Sequence, residues 1–140
     1  MQGMELRFTL DKIDEAAKWA WEAIGSHKVI ALHGEMGAGK TTFVNALCAR
    51  KQVKSNVSSP TFAIINEYEG ASGGIFHIDL YRLNSEEDAI RAGVEDCLYS
   101  GKICLVEWPE KAPGLFPDDT IHIYLQPTDA QTRNIRIGDK

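Results

Sequence analysis

Val29-Ile30-Ala31-Leu32-His33-Gly34-Glu35-Met36-Gly37-Ala38-Gly39-Lys40-Thr41-Thr42-Phe43-Val44 is the stretch on which the fold turns. Its first residues form an apolar run too compact for a helix. The run leads straight into Gly34 to Thr41, which match G-x-x-x-x-G-K-[ST] at every position. Phe43, Val44, Ala46 and Leu47 then recur at helical spacing. A buried parallel strand, a glycine-rich loop and a helix in that order make a P-loop. Gly34, Gly37 and Gly39 are expected to permit positive φ and close approach of backbone to phosphate. The successive N–H groups of Glu35, Met36, Gly37, Ala38 and Gly39 would form a concave anion site, reinforced by the dipole of the following helix. Lys40 offers a point charge to the β- and γ-phosphates and Thr41 a hydroxyl to Mg²⁺, with Thr42 in reach of the α-phosphate. The expected ligands are ATP and Mg²⁺, because the chain carries no Asn-Lys-x-Asp stretch of the kind that selects guanine.

Working outward, Arg7 to Leu10 reads as a short strand. Ile13, Ala16, Ala17, Ala20 and Ile24 form a helical stripe that Gly25 would stop. Trp21 extends the stripe as core and Trp19 lies off it. On the other side, Phe62 to Tyr68 and Ile75 to Asp79 read as strands around a turn containing Gly70, Gly73 and Gly74, which is hairpin spacing. Ser85 and Asp88 resemble a capping box opening a short helix through Ala92. Ile103 to Val106 is a second compact apolar strand ending at Glu107. Thr120 to Leu125 and Asn134 to Ile137 close the chain as two strands, with a turn near Pro127 and Asp129. This alternation predicts one α/β domain over residues 1–140: a P-loop NTPase-like, mainly parallel sheet flanked by helices, with antiparallel edge strands. Ligands of such sheets sit beyond the carboxyl ends of the strands.

The 140-residue length suits a single domain, and the net charge is −5. No run approaches a membrane span and no signal-peptide pattern opens the chain, so a cytoplasmic location is expected. The acidic balance argues against direct capture of nucleic acid by a basic surface. Cys48, Cys97 and Cys104 show neither metal-ligand spacing nor a disulfide framework and read as packed thiols.

Hydrolysis requires a carboxylate near Mg²⁺ and a group that positions the attacking water. Asp79 and Glu107 each end an apolar strand. The run before Glu107 is the more uniformly apolar and so the more central, which assigns Glu107 to the metal and Asp79 to the water; the reverse assignment stays open. Thr61, within Ser58-Ser59-Pro60-Thr61-Phe62, is either a γ-phosphate sensor or part of a capped turn. Trp108 either packs as core or lines a binding surface. Arg82 is more readily an ion-pair residue than a source of transition-state charge. His33 and His77 lie beside the site, although strand histidines are more often satisfied core groups than catalysts.

Taken together, His33 to Phe43, Ser59-Pro60-Thr61-Phe62 with Asn66-Glu67-Tyr68, His77-Ile78-Asp79-Leu80-Tyr81-Arg82-Leu83 and Leu105-Val106-Glu107-Trp108-Pro109-Glu110 resemble the TsaE family, older name YjeE. The likeness runs from Leu32 to about Glu110 in the family's order. It implies a bacterial ATPase required for the threonylcarbamoyladenosine modification of tRNA beside the anticodon. Such a protein acts with a TsaB–TsaD complex and meets tRNA only through it. The resemblance also implies that Thr61 is a switch residue, that Glu107 is the metal-side acid, that Asp79 is essential to hydrolysis and that Thr9 contacts the base. Two other readings remain: a small-molecule kinase, which would need an acceptor pocket and an arginine-rich lid, and a nucleotide-gated binding module with negligible turnover.

Overall fold

The computed structural model describes residues 4–54, 64–71 and 73–138. Seven strands form one sheet: β1 (Met4–Thr9), β2 (Val29–His33), β3 (Ile65–Gly70), β4 (Gly73–Asp79), β5 (Ile103–Glu107), β6 (Ile121–Pro127) and β7 (Thr132–Gly138), in the order β1-β7-β6-β2-β5-β4-β3. The four central strands, β6, β2, β5 and β4, are mutually parallel. The β3–β4 and β6–β7 hairpins and the β1–β7 pair are antiparallel. The expected fold class therefore holds, including its edges.

Two helices cover one face: α1 (Ile13–Ile24) and α2 (Lys40–Arg50). Ala16, Ala17, Ala20 and Ile24 are buried, as their spacing requires, and Gly25 ends α1 with φ +62°. Phe43, Val44, Leu47 and Cys48 are the buried positions of α2. Trp21 and Trp19 both pack at the border of this core, and Trp21 Nε1–H donates to the Leu47 carbonyl at 3.0 Å. The other face is covered by α3 (Glu86–Arg91), α4 (Val94–Leu98) and the 3₁₀ turns Pro109–Lys111 and Pro113–Leu115. Because both faces are covered, the central strands are apolar on alternate sides: Ile30, Leu32 and Leu105 point to α1 and α2, while Val29, Cys104 and Val106 point to the opposite core.

Several boundaries differ from the sequence reading, each because pairing rather than local composition sets it. The first strand runs Met4–Thr9 instead of Arg7 to Leu10, held by its ladder from Met4↔Ile137 to Thr9↔Thr132, and Leu10 already belongs to a 3₁₀ turn. The last two strands extend to Pro127 and back to Thr132. Within the described residues β3 begins at Ile65 and reaches Gly70. The helix after Ser85 ends at Arg91, and the five-residue α4 beyond Gly93 is too short for a periodic pattern to announce it. Ser85 Oγ does accept the Asp88 N–H at 3.2 Å, but the Asp88 carboxylate turns to the Asn84 N–H at 3.3 Å, so the box is half closed.

Candidate functional site: the P-loop and the strand-end acids

The loop between β2 and α2 sits at the carboxyl end of the central strands. Gly37 and Gly39 take φ of +82° and +97°, conformations that L side chains rarely adopt. Gly34 is not among the positive-φ residues, contrary to the expectation for all three glycines. Its requirement is steric: a Cβ there would lie 2.8 Å from the Leu125 carbonyl of β6 and 3.2 Å from the Ala38 Cβ. The loop is further closed by Ala38 N–H to the Glu35 carbonyl, 3.0 Å, and anchored by Arg133 Nε–H to the Ala38 carbonyl, 3.1 Å.

A cavity of about 260 Å³ opens here, lined by Gly37, Lys40, Thr41, Thr42, Asp79, Glu107 and Trp108, with Met36 and Tyr81 at its rim. Lys40 is buried; its ammonium donates to the Gly34 carbonyl at 2.5 Å and lies 3.4 Å from the centre of the Trp108 ring. Burial draws its pKa down, against the opposing pull of Glu107, Glu110 and Asp79. Trp108 packs against the second core, as one of its two readings expects, and also lines the cavity beside Tyr81, 5.0 Å between ring centres. Its backbone is left-handed, φ +59°, an uncommon conformation for a bulky residue that aims the indole across the loop.

Strand periodicity explains the acids. Ile75, His77 and Asp79 on β4 share a face, as do Leu105 and Glu107 on β5, and it is the face that α2 covers. Asp79 pairs with Glu107 in register, so the two carboxylates stand side by side at the strand ends. Glu107 is buried and Thr41 Oγ1–H donates to both its oxygens at 3.1 Å. Asp79 is half-buried and accepts the Tyr81 N–H at 3.0 Å. Burial raises its pKa, partly offset by that backbone bond and added to by the Glu107 charge.

Thr41 and Glu107 are hard oxygen donors of the kind that suit Mg²⁺. Among the described residues no group of three or more His, Cys, Asp and Glu is placed to hold a metal by itself.

Other sequence-selected residues fall elsewhere. Thr61 lies outside the described residues. Thr9 ends β1, bonds Asp11 at 2.5 Å, and lines a separate cavity with Phe8, Trp19 and Thr132. Glu35 is exposed and Ala38 buried, both contributing backbone to the loop. Arg82 is exposed. His33 bonds His122 at 2.8 Å and stacks on Tyr124 at 4.4 Å, on the far side of the loop; burial and the His122 neighbour lower its pKa to about 4. His77 is a satisfied core group, as expected of a strand histidine: it is fully buried, with Nε2 2.6 Å from Glu107 Oε2 and Nδ1 3.3 Å from the Tyr68 hydroxyl. The signal for it was the period-two spacing His77-Ile78-Asp79. Arg133, 95 residues from its partner Ala38, left no local signal.

The family model described as threonylcarbamoyl adenosine biosynthesis protein TsaE matches residues 9–135. The tRNA threonylcarbamoyladenosine biosynthesis protein TsaE of Haemophilus influenzae is 37% identical over 109 residues, covering 78% of this chain and 68% of the relative. The protein of the same name from Aquifex aeolicus is 41% identical over 115 residues, 81% and 78% of the two chains. The crystal structure of Bacillus subtilis YdiB superposes with a TM-score of 0.76 at 24% identity over 97% of this chain and 84% of that one, a likeness of fold.

Proposed function

The chain belongs to the TsaE family, proteins of threonylcarbamoyladenosine biosynthesis in tRNA, and from that premise we propose that it binds ATP with Mg²⁺, hydrolyses it slowly, and serves the modification as a helper ATPase of a TsaB–TsaD complex in the cytoplasm. The observation that carries the reading is the convergence of Lys40, Thr41, Asp79 and Glu107 on one cavity over a glycine-built anion cradle.

In this reading the loop N–H groups and the start of α2 receive the phosphates. The Lys40 ammonium leaves the Gly34 carbonyl and the Trp108 ring for the β- and γ-phosphate oxygens. When bound, Mg²⁺ neutralises charge on those oxygens. Thr41 and Glu107 are the side chains that would hold it, and the buried Glu107 keeps its carboxylate oriented through Thr41 and His77. Asp79, one strand over, is the group left to orient the attacking water. Its raised pKa suits a residue that shares a proton with water.

Arg133 lies close to the loop, yet its guanidinium is engaged by the carbonyls of Ala38, Asp129 and Thr132. A supplied arginine contributes roughly 10³–10⁵ in rate in related chemistry, so slow turnover by the isolated chain and acceleration by the partner complex follow. The test is single-turnover ATP hydrolysis with and without purified TsaB–TsaD. A burst of hydrolysis by the chain alone, unchanged by the complex, would overturn the helper reading.

A further inference from the structure

Glu107 is a long side chain asked to present one oxygen at one point. A glutamate free to sample its rotamers loses conformational entropy when a ligand orders it. Here it is ordered before any ligand arrives, and the ordering comes from β4 and β3 as well as from α2. His77 Nε2 reaches Oε2 at 2.6 Å, a short contact for a nitrogen donor to a carboxylate. An ionised carboxylate only accepts, so the proton of this contact is on Nε2. In the tautomer with its single proton there, Nδ1 accepts, and the Tyr68 hydroxyl donates to it across 3.3 Å. Tyr68 and His77 are both buried, and no buried side-chain nitrogen or oxygen among the described residues lacks a partner. Among the described residues Oε2 thus carries both His77 and Thr41, whereas Oε1 is met by Thr41. The second oxygen is the one with capacity left for a ligand.

We propose that Tyr68 and His77 are positioning residues: His77 clamps Oε2 of Glu107 so that Oε1 faces the cation, and Tyr68 fixes the imidazole that does so. The proposal rests on the reading of Glu107 as the metal-side acid. Neither residue lines the cavity. Their effect is confined to the metal-dependent part of ATP affinity, in the manner of the outer partners that orient metal ligands elsewhere.

The experiment is titration calorimetry of ATP in Mg²⁺ and in EDTA, on the wild type, His77→Phe, His77→Gln, Tyr68→Phe and the Tyr68→Phe/His77→Phe pair. His77→Phe keeps a ring but loses the donor. Its Mg·ATP dissociation constant is expected to rise roughly 10–100-fold while the metal-free constant stays within about twofold. His77→Gln retains an N–H for Oε2 and should recover part of the loss. Tyr68→Phe should show a smaller rise. The pair should lose no more metal-dependent affinity than His77→Phe alone, since Tyr68 reaches Glu107 through the imidazole. A merely structural histidine would raise both constants together and give additive losses. If the wild type binds Mg·ATP no better than metal-free ATP, the metal reading of Glu107 falls and the proposal with it. If the wild type shows the preference and His77→Gln and Tyr68→Phe, each folded by circular dichroism, differ from it by nothing, the positioning role is overturned while the metal reading survives.

Discussion

Replacing Lys40 with methionine separates two things that the lysine does. Its ammonium is held by the Gly34 carbonyl and the Trp108 ring. A hydrogen bond from a charged donor is worth roughly 1.5–3 kcal/mol and a desolvated cation–π contact about 2 kcal/mol. Against these stands the desolvation that draws the Lys40 pKa down. Methionine has a stem of similar length, packs favourably on an aromatic ring and carries no charge to desolvate. The half-buried Gly34 can turn its carbonyl to water. The terms nearly cancel, so Lys40→Met should shift Tm by no more than about 4 °C, the equivalent of about 1 kcal/mol in a domain of this size. Binding is another matter. A unit charge about 3 Å from a phosphate charge gains about 5 kcal/mol at an effective dielectric of 20, hence about 10 kcal/mol for two such contacts, less about 4 kcal/mol given up at Gly34 and Trp108. With half of the remainder lost to screening by the cation, about 3 kcal/mol survives, a loss in ATP affinity of roughly 100-fold. Thermal unfolding followed by circular dichroism and calorimetric titration with Mg·ATP read the two quantities separately. A variant that melts more than 10 °C lower on the same scale yet binds ATP normally would mean that Lys40 is a structural pin, and the P-loop reading would fail.

Asp79→Asn keeps an oxygen for the Tyr81 N–H, so its ATP affinity should stay near that of the wild type, while single-turnover hydrolysis with the partner complex should fall by roughly 10²–10⁴ as expected for loss of a group that handles the water proton. Lost binding with intact turnover per bound nucleotide would exchange the roles of Asp79 and Glu107. His33 gives a pH signature: its folded pKa of about 4 lies below the ordinary 6.5, so between those values the unfolded chain holds the extra proton and the folded chain does not. Stability conferred by the neutral ring is complete above pH 6.5 and is lost as pH falls toward about 4. Urea unfolding should show the wild type losing ground to His33→Gln across that window on acidification, and a pH-independent difference would mean that the His33–His122 pair titrates as if exposed.

The parts of this molecule that could be read from the sequence are those written in short-range pattern. The α1 stripe, its glycine stop, the strand–loop–helix of the P-loop and the two buried strands all depend on neighbours within a turn or a pleat, and each appears where its residues put it. Strand ends depart from the local pattern where a distant ladder decides them. Met4, Glu5 and Leu6 are strand because Ile137, Arg136 and Ile135 lie opposite, and no local feature of Met4 to Leu6 says so. Short elements that cap the second core, such as Val94–Leu98, depend on burial supplied by β4 and β5 and have no period of their own.

The site divides along the same line, and the division bears on how it works. Lys40 and Thr41 are fixed by the loop that contains them, so their place could be read one residue at a time. Glu107 is different: its oxygens are met from α2 by Thr41 and from β4 by His77, which is itself met from β3 by Tyr68. Sheet order brings the three strand residues together, since β5 lies beside β4 and β3 lies beyond β4 at the edge, and α2, which follows β2 on the other side of β5, brings Thr41 to them. The parity of β4 then turns His77 and Asp79 to the same face, one toward the acid and one toward the cavity. A perturbation of the β3–β4 hairpin therefore reaches Glu107 through two hydrogen bonds without touching the P-loop. By the same geometry, a change confined to the loop leaves the clamp on Glu107 Oε2 intact. The proposed phosphate cradle and the proposed metal-side acid are held by separate parts of the fold, and Thr41 is the residue in which they meet.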